Sequence, residues 1–519
     1  MLNNRYLYFT VFVSGMATLA VEMSASRLLD AYFGTSTLVW ASIIGLILIY
    51  LAAGYSIGGR WADRSPQPAT LYAILAWGGF LCGVVPLIAR PVLTFAADAF
   101  DQLQVGVLIG SFVGVLILFS VPITLLGMIS PFAIRLALTD SRRAGSVSGK
   151  IYTISTVGSF IGTFLPSLVL IPLVGTVRTF LIFSLILTLT ALGGLWRHAG
   201  WRKALKFAWM PVLLVVFLIF TTQANLKRTT GQIYEGESAY NYVQVLAQGD
   251  YRYLRLNEGQ GIHSVYHPTV LSYSGPWEQF LAAPFFNEPP YQPNQVTRIG
   301  IVGLAAGTTA RQATMVYGVI PIDGWEIDPL IIDVGQKYFD MNMPNLQAYA
   351  QDGRWGLAHS TEKYTIIGID AYRPPYIPPH LTTVEFFQIV KDRLTEDGVA
   401  VVNVGRSPSD RSLIGALANT LDEVFPSVFV VDVPESFNSI IYATKRPASW
   451  SNLVANFDRL SQEENVHPLL IEVLQRAILL RQEVPESKLV FTDDRAPIEW
   501  ITNTMVLSYV FLTDMEEVR

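Results

Sequence analysis

Three carboxylates and one loop of small residues hold the clearest chemistry in this sequence of 519 residues. Gly303-Leu304-Ala305-Ala306-Gly307-Thr308-Thr309 follows a strand-like run at 298–302. Residues this small permit a tight turn and leave the first amide groups of the next helix open to a ligand. Glu326 closes the next strand-like run about 20 residues further on, where a carboxylate accepts hydrogen bonds from both hydroxyls of a ribose. Asp352-Gly353-Arg354 follows where a third strand should end, and a carboxylate there can receive an adenine amino group. Asp370 closes a fourth run, within Ile366-Ile367-Gly368-Ile369-Asp370-Ala371-Tyr372. Each acid alone could equally be a helix cap or a turn acid, but acids at successive strand ends make a nucleotide-type site the better reading.

The elements that must position these residues follow from periodicity. Strand-like runs at 298–302, 320–327, 364–370, 399–404, 428–433 and 439–444 alternate with helix-like segments at 309–317, 329–339 and 383–394. That order predicts a doubly wound, mostly parallel sheet with helices on both faces, whose ligands bind beyond the carboxyl ends of the strands. Ahead of it, the alternation at 240–247 and 251–257 predicts a small antiparallel sheet.

The first half of the chain has a different composition. The whole sequence is 51% hydrophobic and 15% charged with a mean hydropathy of +0.38, and the apolar residues concentrate before about residue 225. Seven runs are long enough to cross a bilayer: 6–33, 37–59, 70–97, 105–137, 151–172, 177–196 and 207–222. The first keeps Glu22 and Arg27 and runs past any plausible cleavage point, so no signal peptide is read there. Arg5, Arg60, Arg64, Arg135, Arg142, Arg143, Lys150, Arg197, Arg202, Lys203 and Lys206 fall at one set of loop ends, against Arg90, Arg178, Lys227 and Arg228 at the other. Basic loops stay in the cytoplasm, so the amino terminus is expected inside a plasma membrane and, after seven crossings, the second half outside. The long segment around Pro122 and the short last run are the weak points of that count. Glu22 and Arg27, five residues apart on a helix, could approach one another only loosely and can instead pair with other spans, a structural ion pair holding the bundle being preferred to a transport site; Gly54, Gly58, Gly59, Gly158 and Gly162 are read as sites of close helix packing.

Several classes are disfavoured. A formal charge of −5 with no long basic run argues against nucleic acid. Cys82 is the one cysteine, which excludes a disulfide framework and a cysteine zinc site, and the histidines are too scattered for a metal set. The domains are expected at 1–225 for the membrane helices, 226–292 for a linker and the small sheet, and 293–519 for the Rossmann-like part.

In its order of motifs the chain resembles the spermidine synthases, or polyamine aminopropyltransferases, and in particular multi-pass membrane proteins carrying such a domain. The resemblance covers Glu22 to Asp63, Glu237-Ser238-Ala239-Tyr240, Leu254 to Ser264, the nucleotide elements, Asp370-Ala371-Tyr372 and Pro379-His380-Leu381-Thr382-Thr383-Val384-Glu385-Phe386-Phe387. It closes at Thr492-Asp493-Asp494-Arg495-Ala496-Pro497. It implies a β-meander followed by a Rossmann-like, methyltransferase-type sheet, and transfer of an aminopropyl group from decarboxylated S-adenosylmethionine to an amine, with no prosthetic group. It further implies Asp370 as the catalytic acid, Gly303 and Gly307 at the nucleoside, Glu326 at the ribose, Asp352 at the adenine, and Tyr372, Glu278 and His263 at the acceptor.

The sequence departs from the family pattern near that acceptor. Ala306 stands where an acid usually meets the donor amine, and Arg373 where a second Asp follows the first. His263 replaces a Gln, Asn257-Glu258 replace Asp-Gly, and Pro276-Trp277 precede Glu278 where a Tyr is usual. Arg373 would repel an amine, which opens the way to a different acceptor. Tyr372, Tyr376, Trp277 and Trp325 are candidates for the walls of an amine site, whereas His263 and His267 can equally be plain hydrogen-bonding residues. An extracytoplasmic domain also conflicts with a donor made in the cytoplasm. The expectation is therefore a membrane-bound transferase acting in polyamine biosynthesis. Another transferase of the same fold with a different acceptor, a non-enzymatic binding or assembly module, and a homo-oligomer remain open.

Overall fold

The computed structural model describes residues 4–33, 37–102, 106–220, 226–227, 229–257, 261–372 and 377–505. The chain divides into two compact units, Met1–Thr229 with Glu235–Tyr242, and Thr230–Tyr234 with Val243–Arg519.

The first unit is helical. Its helices run Asn4–Phe33, Thr37–Arg64, Pro68–Gln102, Gly106–Gly127, Ile129–Ala137 and Ala144–Leu165, the last extended through Pro166–Leu170 and Ile171–Val174. Thr176–Ala199, Trp201–Leu205 and Trp209–Phe220 follow. Among the described residues six segments are long and apolar enough to cross a membrane, while Trp209–Phe220 has only 12 residues. The expected seventh span is thus shortened, because Gly200 at φ +82° and the turn at 206–208 consume its start. Tyr6, Tyr72 and His198 meet at one end, with Arg197 4.2 Å over the Tyr6 ring. Trp209 lies 4.9 Å from Phe80 towards that end, and the Leu226 carbonyl accepts from the Tyr32 hydroxyl at 2.7 Å at the other.

Backbone proximity holds the bundle together. A Cβ on Gly158 would sit 2.2 Å from the Phe12 carbonyl oxygen and one on Gly162 2.0 Å from that of Met16, so only glycine lets these helices approach. Gly54 and Gly58 play the same part against Thr124 and Met128, whereas Gly59 has only a distant contact with Pro131. Among the described residues Glu22 and Arg27 form no ion pair with each other or with another span. Arg27 instead donates to the carbonyls of Ala239 and Tyr240, because five residues along a helix point the two side chains apart. Glu237 caps the helix Thr176–Ala199 by accepting from the Thr176 amide at 2.7 Å.

The strands form two sheets, and all their residues but Glu235–Glu237 and Tyr242 belong to the second unit. Strands β1 (Gln232–Glu237), β2 (Tyr242–Gln248), β3 (Tyr251–Leu256) and β4 (Ile262–Tyr266) form a four-stranded sheet in that order. The larger sheet contains β5 (Ile299–Val302), β6 (Ile322–Glu326), β7 (Leu346–Ala350), β8 (Tyr364–Ile369), β9 (Leu394–Gly405), β10 (Ser427–Asp432), β11 (Asn438–Thr444) and β12 (Arg481–Gln482). Its order is β12-β10-β11-β9-β8-β5-β6-β7. The five strands from β9 to β7 are parallel, and β11, β10 and β12 add antiparallel pairs. The sheet is therefore mixed rather than mostly parallel throughout. Ile299, Ile301, Val399 and Val401 feed the core on one face, and Val302, Ile367, Ile369 and Val402 that on the other. Two buried faces explain the unbroken apolar runs.

The small sheet is not a separate module. Val243, Val245, Leu254 and Leu256 share a core with Ala306, Ile331, Val334 and Phe339, so no boundary between compact units falls at residue 292. From β5 the chain winds one way to β6 and β7, then returns to β8 on the other side. The crevice at such a reversal, beyond the carboxyl ends of β5 and β8, is where an open α/β sheet offers its ligand site.

Candidate active site

The small-residue loop and the acid at the end of β8 meet at that reversal. Gly303 follows β5 at φ +88°, and a Cβ there would lie 2.5 Å from the Asp370 carbonyl oxygen. The Asp370 amide donates to the Val302 carbonyl at 2.8 Å, which fixes the start of the loop after β8. Gly307, at φ +83°, turns the chain into the helix Thr308–Tyr317.

Glu326 ends β6 and is 8% exposed. Its Oε2 accepts from the Ala305 amide at 3.0 Å and its Oε1 from the Asp328 amide at 3.1 Å. Burial pushes its carboxyl up to about 7, partly offset by those amides. Glu326 thus braces the glycine loop, and each oxygen keeps a lone pair for a further donor.

Asp352 has structural partners of its own. Its Oδ1 accepts from the Trp355 amide at 2.8 Å as the N-cap of the helix Gly353–His359, and its Oδ2 lies 2.9 Å from His380 Nε2. The hydrogen bond to His380 is the chief reason that its carboxyl lies below the usual range, helped by the Trp355 amide against partial burial. Beside it, Arg354 makes a two-pronged pair with Asp493, at 2.7 and 2.6 Å.

Asp370 faces a cavity of about 830 Å³. Withdrawal from water pushes its carboxyl up to about 7, opposed by the hydrogen bond that Asn403 Nδ2 donates to Oδ1 at 2.8 Å. Asn403 in turn accepts from Asn438 Nδ2 at 2.9 Å, and Ser436 Oγ meets Asn438 through its amide at 3.0 Å and its Oδ1 at 3.2 Å. A chain of hydrogen bonds thus runs from Asp370 to the turn between β10 and β11. The Tyr372 hydroxyl donates to the Asn403 carbonyl at 3.2 Å, and burial beside Asp370 raises its phenol far above the usual range.

Aromatic residues form much of the remaining wall. Tyr251 and Tyr253 stand parallel with centroids 6.0 Å apart, Tyr273 approaches from the segment before the helix Pro276–Gln279 and Trp277 from that helix itself. His263 also lines the cavity. Burial drives its imidazole down to about 4, so the ring is neutral, and its Nε2 is enclosed with no hydrogen-bond partner among the described residues. Glu435 lines the rim from a left-handed backbone at φ +48°.

Of the residues singled out by sequence, Asp370, Tyr372, His263 and Trp277 line this cavity, together with Ala305 of the loop. Gly303, Gly307, Glu326 and Asp352 are not among its lining residues. Glu278 is corrected: it is fully buried and turned into the protein. It pairs with Arg476 and accepts from the Tyr273 amide and from Gln312 Nε2, each at 3.0 Å. Trp325 packs in the core against Tyr349 and Tyr364, and His267 accepts from the amides of Thr269 and Val270. Glu258, Arg373 and Tyr376 lie outside the described residues. Sequence reasoning missed Asn403, whose signal is a lone amide interrupting the apolar run of β9, and also Asn438 and Glu435. Among the described residues no group of three or more His, Cys, Asp or Glu could hold a metal ion.

Residues 289–452 match the spermine/spermidine synthase domain. The chain is 32% identical over 285 residues to a probable polyamine aminopropyl transferase of Bifidobacterium longum, covering 52% of this chain and 62% of that protein. It therefore spans less than two thirds of that relative. Polyamine aminopropyltransferase 2 of Aquifex aeolicus is 23% identical over 467 residues, 86% of this chain and 89% of the relative. The crystal structure of a probable spermidine synthase from Corynebacterium glutamicum aligns with 51% of this chain and 99% of its own at 19% identity, with a TM-score of 0.37. That score adds nothing to the strand order described above.

Proposed function

This chain belongs to the spermidine synthase-like family, and from that premise we propose that it is a membrane-anchored aminopropyltransferase using decarboxylated S-adenosylmethionine and an amine. The observation that carries the reading is Asp370, a partly desolvated carboxylate at the reversal point of the sheet, facing an aromatic cavity and tethered by Asn403. An amine attacks carbon only as the free base. Asp370 takes the ammonium proton, the nitrogen lone pair forms a bond to the methylene next to the sulfonium, and the carbon–sulfur bond breaks. Methylthioadenosine then leaves as a neutral thioether.

The remaining residues have assigned places in this reading. The amides of the Gly303–Gly307 loop hold the nucleoside side of the donor, Glu326 its ribose hydroxyls and Asp352 its adenine. Tyr251, Tyr253, Tyr273, Trp277 and Tyr372 offer aromatic faces and hydroxyls to a cation. The first unit serves as the membrane anchor, supported by six long apolar helices.

A second reading, transfer to an acceptor with a single cationic end, is favoured by the engagement of Glu278 with Arg476. Asp370 in the cavity and Glu435 at its rim are then the carboxylates among the described lining residues.

The test is calorimetric titration of the purified full chain with methylthioadenosine and decarboxylated S-adenosylmethionine, followed by an assay of methylthioadenosine release with a panel of mono- and diamines. Micromolar nucleoside binding, lost in Glu326→Ala, with amine-dependent release is the expected result. No binding at millimolar nucleoside would sink the proposal. Release with monoamines alone would select the second reading.

A further inference from the structure

A second cavity, of about 630 Å³, lies within the helical unit at the end that carries Tyr6 and His198. Its deep wall is apolar, formed by Ile74, Leu81 and Leu125 beside Trp77, and Lys203 and Lys206 line it from the segment after Gly200. The volume is that of an ordinary small-molecule site, yet the lining has the two-part chemistry of an amphiphile. Trp61 and Trp77, 44% and 43% exposed, stand at the groove as interfacial tryptophans do.

The charge is uncompensated. Among the described residues neither Lys203 nor Lys206 has a carboxylate within ion-pair distance, and Asp63, the acid nearest in sequence to Trp61, is paired with Arg135 at 3.2 Å. Lysine stems lie along apolar surface while their ammonium groups stay at the polar boundary, where they meet anionic headgroups. A soluble anion would leave the apolar wall unused, and a zwitterionic lipid would leave the two ammonium groups unmatched.

We propose that this groove binds one anionic phospholipid from the leaflet on the amino-terminal side, its headgroup on Lys203 and Lys206 and an acyl chain along Trp77, Ile74, Leu81 and Leu125. The site is independent of the transferase chemistry and rests only on the helical unit lying in a membrane. It would fix the end of the helix Thr176–Ala199 and the segment after it against the start of the helix Pro68–Gln102.

The test uses the full chain in phosphatidylcholine nanodiscs containing a minor fraction of either phosphatidylglycerol or phosphatidylcholine with brominated acyl chains, which quench nearby tryptophan. Brominated phosphatidylglycerol should quench in preference, by an occupancy ratio on the order of tenfold for two lysines at low salt, shrinking as salt screens them. The difference should disappear in Lys203→Gln/Lys206→Gln, persist in Lys203→Arg/Lys206→Arg, and be much reduced in Trp77→Phe. Equal quenching by the two lipids, or an unchanged preference in the glutamine variant, overturns the proposal. So does loss of quenching on adding inorganic phosphate alone, which would mark a soluble-anion site, or a chain that stays in solution without detergent or lipid. Matched thermal melts of the glutamine and arginine variants separate lost binding from lost folding.

Discussion

In the proposed aminopropyl transfer, Asp370 and Asn403 would make the pH dependence a property of one hydrogen bond. The carboxylate must be ionised to take the amine proton, and its carboxyl is held near 7, so kcat/KM should rise with pH up to a limb at about 7 and fall about tenfold per unit below it. Asp370→Asn should lower kcat by about 10²–10⁴-fold with methylthioadenosine binding retained; undiminished turnover would remove Asp370 from the chemistry. Asn403→Ala removes a donor that favours the charged form, so the limb in the pH–rate profile should move to higher pH. A merely structural role for Asn403 would lower the rate at every pH without moving the limb. At the rim, Glu435→Gln should raise KM for a diamine and leave KM for a monoamine unchanged, as steady-state kinetics with matched amines would read.

Two elements beside the site combine structural and ligand-directed roles, and substitution can separate them. Asp352 caps the helix Gly353–His359, so Asp352→Ala should cost about 1 kcal/mol of stability through the lost cap. Asp352→Asn keeps a capping oxygen, and in calorimetry it should lose nucleoside affinity while its melting temperature stays close to that of the parent. Equal affinity in the parent and Asp352→Asn would leave Asp352 as a cap alone. The segment at 272–277, which supplies Tyr273 and Trp277 to the cavity, is tied down by the buried pair of Glu278 and Arg476, whose side chains are 0% and 16% exposed. Removing one partner of such a pair strands the other charge, at a cost of about 3–5 kcal/mol. Arg476→Met should therefore lower the denaturation midpoint strongly, whereas surface Arg142→Met should hardly move it.

At the scale of the molecule, the question is which side of the membrane the cavity faces. The last helix of the helical unit, Trp209–Phe220, has only 12 residues, with Trp209 4.9 Å from Phe80, and the Tyr32 hydroxyl donates to the Leu226 carbonyl. If the short helix Trp209–Phe220 is counted with the six candidate spans among the described residues, basic loops inside would put residue 226 on the side opposite the amino terminus. A reporter that reads sidedness, fused after residue 250 and separately near residue 66, should report opposite compartments. Like-sided reporters would show that the last helix turns back, and would set the transferase unit in the compartment where decarboxylated S-adenosylmethionine is made. Opposite sides would require donor supply across the membrane or a different nucleoside donor.

The division into an apolar helical half and an α/β half was legible in sequence because hydropathy and periodicity are local properties: a run of about 20 apolar residues or an alternating strand declares itself without reference to the rest. The strand ends at Gly303, Glu326 and Asp370 were equally legible, since each lies at the end of an expected run, whereas Asp352 was placed only where a third strand should end. What could not be read is what those side chains touch. β7 carries a weak apolar signal and β12 is two residues long, so both strands depended on their neighbours to be recognised. Glu278 sits in sequence beside residues that line the cavity, and it was expected there. Only the packing of helix Pro468–Leu479, about 200 residues away, brought Arg476 against it and turned its charge inward. Asn403 and Asn438 acquired their part in the same way, through antiparallel pairing of β9 with β11. Composition and period determined the elements, and long-range contacts, which no local pattern encodes, decided which charges remained free to meet a ligand.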